Sequence, residues 1–378
     1  MLELFVKTFI EELMTSIPSH LASAIVTIDL AALQSNYKTL SAKAAPAACG
    51  AAIKADAYGL GIGPCARALW AAGARDFFVA RPFEGEELRA ILPNAKIYVL
   101  DGLYTGQAAY YVKHGLIPSL ISPEEAREWA RDAGQAPCAI HVDSGINRVS
   151  FSLDALANLL AEKLPLNIVL LMSHLASSEE PDNSFNEDQR HRFEQARALL
   201  PSVKASLANS SGVFLGDEFT LDLVRPGVAL YGGNPLPGKA NPMKPVATLE
   251  VRVMQVRDVP VGEAVGYNST WRATRASRVA LVGAGYRDGI PRNMSSTLSK
   301  TPAQVSINGV LCPIVGRVSM DMTAVDVTDA NVQRGDWAEF FGHNIALDAA
   351  ATSAGTISWV LLTHLGNRTH RRYIGGES

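Results

Sequence analysis

From residue 24 onward, short runs of β-branched and apolar residues alternate with longer stretches whose apolar positions recur every three to four residues. That rhythm predicts parallel strands joined by crossover helices. The predicted strands are Ala24 to Asp29, Ala48 to Ile53, Asp76 to Ala80, Lys96 to Leu100, Ile117 to Ile121, Cys138 to Asp143, Asn167 to His174 and Val203 to Ala208. The helices between them are Ala31 to Ala45, Pro64 to Ala72, Glu84 to Ile91, Tyr104 to His114, Pro123 to Ala133, Leu153 to Glu162 and Glu187 to Leu200. An open doubly wound sheet alternates in the same way. It rarely fits eight strands into about 220 residues without a dinucleotide-binding glycine fingerprint, so the pattern favours a (β/α)8, TIM-like barrel over residues 23–240.

After Gly238 the period changes to two, as in Thr248 to Val256, Arg278 to Val282, Ala303 to Ile307 and Met322 to Val327, and helical spacing returns only at Asp348 to Ala354. Residues 241–378 therefore read as a mainly β C-terminal domain, with a Pro/Gly linker over Asn234 to Pro245. Residues 1–22 form an N-terminal extension in which Leu2, Phe5, Phe9 and Leu13 suggest an amphipathic helix, with Met14 as an alternative start.

Composition narrows the functional classes. Lys and Arg number 34 against 37 Asp and Glu, giving a net charge of −3 without basic blocks, which argues against nucleic acid as a partner. Cys49, Cys65, Cys138 and Cys312 lie far apart with no metal-ligand spacing, as in a reducing compartment. Glu3, Lys7, Glu11 and Glu12 interrupt any secretion-signal core, and no apolar run approaches the ~20 residues of a membrane span. The expectation is a cytoplasmic protein without a metal.

Barrel active sites form at the carboxyl ends of the strands. Lys54 follows the second predicted strand, in Ala51-Ala-Ile-Lys-Ala-Asp-Ala-Tyr-Gly59, where desolvation would lower its pKa and suit it to Schiff-base or proton-transfer chemistry. Taken alone, a snorkelling surface lysine is the plainer reading. Arg148, His174, Asn209-Ser210 and Arg225-Pro-Gly-Val-Ala-Leu-Tyr-Gly232 follow other strands, the last fitting the phosphate site of the final barrel loops. Singly, each has a plain structural explanation. Together, a lysine, a phosphate cradle and two arginines at one barrel mouth are what pyridoxal 5′-phosphate requires.

These runs, with Asp143-Ser-Gly-Ile-Asn-Arg148, Gly285-Tyr-Arg-Asp-Gly289 and Gly316-Arg-Val-Ser-Met-Asp321, resemble the alanine racemases from about residue 24 to 373. The resemblance implies a pyridoxal-phosphate enzyme interconverting L- and D-alanine, with Lys54 carrying the cofactor and acting as base on one face of the substrate. Tyr267 would be the base on the other face. A tyrosine's ordinary pKa near 10 makes it a poor base, and the family's chain through His174 to Arg225 would supply cationic stabilisation. Arg225 would face the pyridine nitrogen. Tyr58, Asn209, Ser210, Gly227, Val228 and Trp359 would bind the cofactor; Arg148, Tyr286, Met320 and Asp321 would meet the substrate. Tyr267 and Met320 would reach a partner subunit's cofactor, which implies a homodimer with shared active sites.

Two positions depart from the family pattern. His141 stands where a lysine that can be carbamylated usually holds the arginine at 148, and Trp359 where a tyrosine hydroxyl usually joins the phosphate shell. A neutral imidazole could accept from Arg148, which predicts weaker substrate binding as pH falls through the imidazole titration. Two other readings stay open: a broad-specificity racemase or decarboxylase of the same architecture, and a non-catalytic pyridoxal-phosphate-binding protein.

Overall fold

A computed structural model describes residues 18–296 and 302–376. The expected helix over Leu2 to Leu13 lies outside them. The chain divides into two compact units, one of Ala31–Lys244 and one joining Pro245–Gly375 to the segment ending at Leu30.

The first unit is the barrel. Seven parallel strands follow in sequence order: Ala51–Ala52, Asp76–Val79, Lys96–Val99, Leu116–Leu120, Pro137–His141, Asn167–Met172 and Ala205–Ser206. An eighth, Leu223–Val224, pairs in parallel with Ala48–Cys49. On its other side, the Asp222 and Arg225 N–H groups donate to the carbonyls of Ala205 and Ala208 at 3.1 and 2.9 Å, so the ring of strands closes. Phe78, Tyr98, Ile117, Leu170, Met172 and Leu223 fill the interior. Each buried side chain of this kind contributes about 1.5–3 kcal/mol. Gly50 is required at the closing seam, because a Cβ there would stand 2.8 Å from the Phe78 ring and 2.9 Å from the Asp76 carbonyl oxygen. Helix starts carry the signals expected of them: Ser122 and Ser152 cap Pro123–Asp132 and Leu153–Ala161 by accepting from Glu125 and Ala155 N–H groups.

In the second unit the long strand Ala247–Val259 alternates buried and half-buried residues along most of its length. It pairs antiparallel with Ala24–Asp29, Ser277–Val282 and Trp337–Phe341. Val259, Ala273, Val279, Val315 and Ala324 pack beneath.

The strand count corrects the sequence reading at both ends. Ala24–Asp29 forms as expected, but it lies between Ala247–Val259 and His370–Ile374 in the β unit and is not a barrel strand. The barrel's last strand is Leu223–Val224, too short at two residues to register as a hydrophobic run. A strand's own residues do not reveal its distant partner, so a buried run followed by a helix looks like a βα unit wherever it pairs. The helix expected from Tyr104 begins at Ala108. Among the described residues no helix is long and apolar enough to cross a membrane, and no cluster of three metal-ligating side chains occurs.

Candidate active site

The strand Ala51–Ala52 runs through Ile53 into Lys54 and a turn that winds the wrong way. Ala55, Asp56, Ala57 and Tyr58 have φ of 53°, 54°, 53° and 58°, the left-handed region that non-glycine residues rarely enter in series. At about 1–2 kcal/mol per residue the turn stores about 4–8 kcal/mol. It persists because it is fastened on several sides. The Ala55 N–H donates to Glu84 Oε1 at 2.7 Å, Asp56 Oδ1 accepts from the Ile62 N–H at 2.7 Å, and the Tyr58 ring stacks on Tyr231 with centroids 4.7 Å apart. Lys54, half-buried at the turn's start, has its pKa lowered by burial and then by the Arg148 cation, with Glu84 and Asp101 opposing.

The Tyr58 hydroxyl lies against Gly227, where any Cβ would fall on the phenol oxygen. From the other side, buried Ser210 accepts at Oγ from the Gly227 and Ala229 N–H groups at 2.9 and 3.2 Å. Asn209 braces this corner by accepting from Ser178 Oγ and the Gly212 N–H, both at 2.9 Å. The Tyr58 and Ser210 hydroxyls and the Gly227 and Ala229 N–H groups, around a glycine that admits no side chain, suit a phosphate.

Arg225, 7% exposed, donates to Ser206 Oγ and the Ser173 carbonyl. Among the described residues no carboxylate pairs with it. Burial lowers its pKa to about 10, so it remains a cation near neutrality. Its hydrogen bonds do not reach the His174 ring, which differs from the relay expected. Burial, then the cations of Arg225 and Arg148, push His174 well below the ordinary histidine range. It is neutral and carries no charge of its own.

His141 ends the strand Pro137–His141 and is 6% exposed, with neither ring nitrogen hydrogen-bonded. Burial first, then the Arg225 and Arg148 cations, lower its pKa to about 3. The imidazole is therefore uncharged throughout the ordinary assay range, which corrects the expected loss of Arg148 orientation near pH 6.5. Nor does it accept from Arg148, which lies exposed in the loop that Asp143 shapes by accepting from the Gly145 and Asn147 N–H groups.

The β unit carries the remaining candidates near its surface. Tyr267, in the turn Tyr267–Ser269, is 69% exposed, Met320 51% and Tyr286 44%. Tyr286 and Met320 adjoin, since the Tyr286 and Arg287 N–H groups donate to the carbonyls of Ser319 and Met320 at 3.0 and 3.1 Å. Asp321 pairs with Arg368 at 2.8 Å, and Arg368 also pairs with buried Asp288 at 2.8 Å. Trp359 lies half-buried in the helix Ser358–Thr363.

Two contributors escaped the sequence reading. Glu84 had a partial signal, a glutamate two residues beyond the Pro82 that opens a helix, but nothing in the chain indicated its reach to Ala55. Arg368 had none.

The family model for the alanine racemase N-terminal domain matches residues 28–235, and that for the C-terminal domain matches residues 246–373. The chain belongs to the alanine racemase family. It is 43% identical over 370 residues to the alanine racemase of Rhizobium meliloti (strain 1021), covering 94% of this chain and 98% of that one. With the alanine racemase of Methylobacterium sp. (strain 4-46) the identity is 46% over 372 residues, covering 96% and 100%. Among solved structures, alanine racemase from Bartonella henselae with covalently bound pyridoxal phosphate superposes with a TM-score of 0.88 at 39% identity, covering 93% of this chain and 100% of that one.

Proposed function

We propose that the protein interconverts L- and D-alanine with pyridoxal 5′-phosphate held on Lys54, and that it works as a homodimer in the cytoplasm. One observation carries the reading. The desolvated lysine shares a barrel mouth with a buried arginine that no acid among the described residues balances and with a glycine-lined hydroxyl cradle. A low-pKa lysine, a buried guanidinium without a carboxylate partner among the described residues and hydroxyls around a side-chain-free glycine suit a ligand with a phosphate and a ring nitrogen. All four cysteines are reduced and buried, which supports a reducing compartment. It also disfavours a decarboxylase that needs a thiol acid opposite the lysine.

Tyr58, Ser210, Gly227 and Val228 would hold the phosphate, with Asn209 bracing them and Trp359 able to add one indole N–H. Arg225 would donate a hydrogen bond to the ring nitrogen without surrendering its proton. When bound, the cofactor supplies the electron sink that makes the substrate Cα–H acidic. Lys54 Nζ would then exchange the Cα proton on one face and Tyr267 Oη of the partner subunit on the other, since inversion needs a proton carrier on each side of a planar carbon. Arg148 would bind the substrate carboxylate. Tyr286, with Met320 and Asp321, would narrow the entrance to a side chain as small as a methyl group.

Chiral analysis of purified protein incubated with a panel of L-amino acids tests this directly, together with borohydride reduction and peptide mapping. D-alanine formation with the cofactor fixed at Lys54 is the expected result. Fixation at another lysine, or preference for a large side chain, would overturn it.

A further inference from the structure

We propose that Glu84 is a positioning residue for Lys54, its carboxylate fixing the left-handed turn that presents the lysine; this rests on the reading of Lys54 as the cofactor's attachment point. Glu84 stands at the third position of the helix Pro82–Ile91, which follows the neighbouring barrel strand Asp76–Val79, and it is 7% exposed. Its Oε2 accepts from the Ala80 and Arg81 N–H groups at 2.7 and 2.9 Å. That half is the ordinary capping of its own helix. The other oxygen does something different: Oε1 leaves the helix and accepts from the Ala55 N–H at 2.7 Å, one residue beyond Lys54.

Ala55 opens the four-residue left-handed stretch. Like the first N–H groups of any helix, its donor has no acceptor within the turn. A carboxylate there is the strongest uncharged-donor partner available, since hydrogen bonds to an ionised acceptor are shorter and stronger than neutral ones. Among the described residues Glu84 joins no ion pair, so its charge is balanced by backbone N–H groups and faces Lys54, which it biases toward the protonated form. One carboxylate therefore ties two successive strand-to-helix loops together at the lysine and contributes to the field in which that lysine titrates.

The test uses glutamine, which keeps size and burial. Its amide offers an acceptor on one side only. Either the helix cap or the Ala55 contact then faces a donor with a donor. Cofactor is stripped from wild type, Glu84→Gln, Glu84→Gln with Ala55→Gly, and Leu156→Ala as a core change in the helix Leu153–Ala161. The rate at which added pyridoxal 5′-phosphate becomes borohydride-fixable at Lys54 is measured across pH. Glu84→Gln should slow attachment by about tenfold or more, and its pH profile should move to lower pH because the carboxylate no longer favours the lysine's protonated form. Ala55→Gly should restore part of the rate, because glycine enters the left-handed region at no steric cost. Leu156→Ala, compared at an equal loss of thermal midpoint, should stay within about twofold of wild type.

A wild-type rate and profile in Glu84→Gln would overturn the proposal, as would an equal slowing in Leu156→Ala or no rescue by glycine. Fixation of wild type at another lysine would instead overturn the assignment of Lys54 itself.

Discussion

Replacing His141 by glutamine at two pH values isolates a single buried ionisation. A histidine in the unfolded chain titrates near 6.5, whereas burial and two arginines hold His141 to about 3 in the folded protein. Between those values the unfolded chain binds one more proton than the folded one. The stability this group contributes is therefore complete above the unfolded value and is lost progressively as pH falls below it. For one such group the loss between about pH 7.5 and about pH 5 comes to about 2 kcal/mol. At 6% exposure, solvent screening does not dilute that figure. Glutamine fills similar space and does not titrate, so it removes the pH-dependent part whatever it costs at neutrality. His174, also held neutral by its surroundings, is common to both proteins and cancels. Urea unfolding of each at both pH values, with cofactor saturating, yields a difference of differences. Wild type should be the more acid-sensitive by about 2 kcal/mol. A value below about 0.5 kcal/mol would refute the reasoning, because it would mean His141 is hydrated or protonated in the folded state.

The other predictions concern the site. Tyr267→Phe should retain cofactor while slowing solvent-deuterium exchange from one alanine enantiomer by ~10² to 10⁴; equal slowing from both, or none, would remove the tyrosine from proton transfer. Lys54→Ala and Tyr267→Phe protomers, unfolded and refolded together, should regain about a quarter of wild-type activity, because half the dimers are mixed and each has one intact site. Zero recovery with mixed dimers demonstrated by mass would place both groups in one chain's site. Gly227→Ala should weaken cofactor binding by at least about tenfold, since the new methyl displaces a Tyr58 ring already wedged on Tyr231; fluorescence titration that finds unchanged affinity would exclude the cradle.

Local chemistry was legible in the sequence and distant pairing was not. Lys54, Arg148 and Ser210 follow predicted strands and His174 ends one, so the barrel rule located them, whereas Arg225 stood out only through the Arg225-Pro-Gly run that fits the final barrel loops. The seam was invisible: Leu223–Val224 is two residues long and Gly50 interrupts its neighbour, so neither shows a periodic run. The left-handed turn was equally hidden, since Ala and Tyr disfavour positive φ and an Asp tolerates it singly rather than in a run, while the Glu84 and Tyr231 contacts that help secure it come from distant parts of the chain. His141 shows the limit for electrostatics. The residue type suggested a switch near neutrality, while burial beside two guanidiniums, a property of the fold alone, moves it far below.

The pairing of Ala24–Asp29 with Ala247–Val259 also sets a timetable for the chain as it is made. Ile28 meets Ala247, so the first strand among the described residues waits, once made, for more than two hundred further residues before its partner exists. At the usual pace of synthesis that is on the order of ten to forty seconds. The barrel segment, Ala31–Lys244, is completed within the interval and can close while the earlier strand remains an exposed, apolar, unpaired edge. Such an edge invites pairing with another nascent chain. The vulnerable moment in biosynthesis falls on these six residues, Ala24–Asp29, which the chain follows from Ala31 with a different unit of the fold.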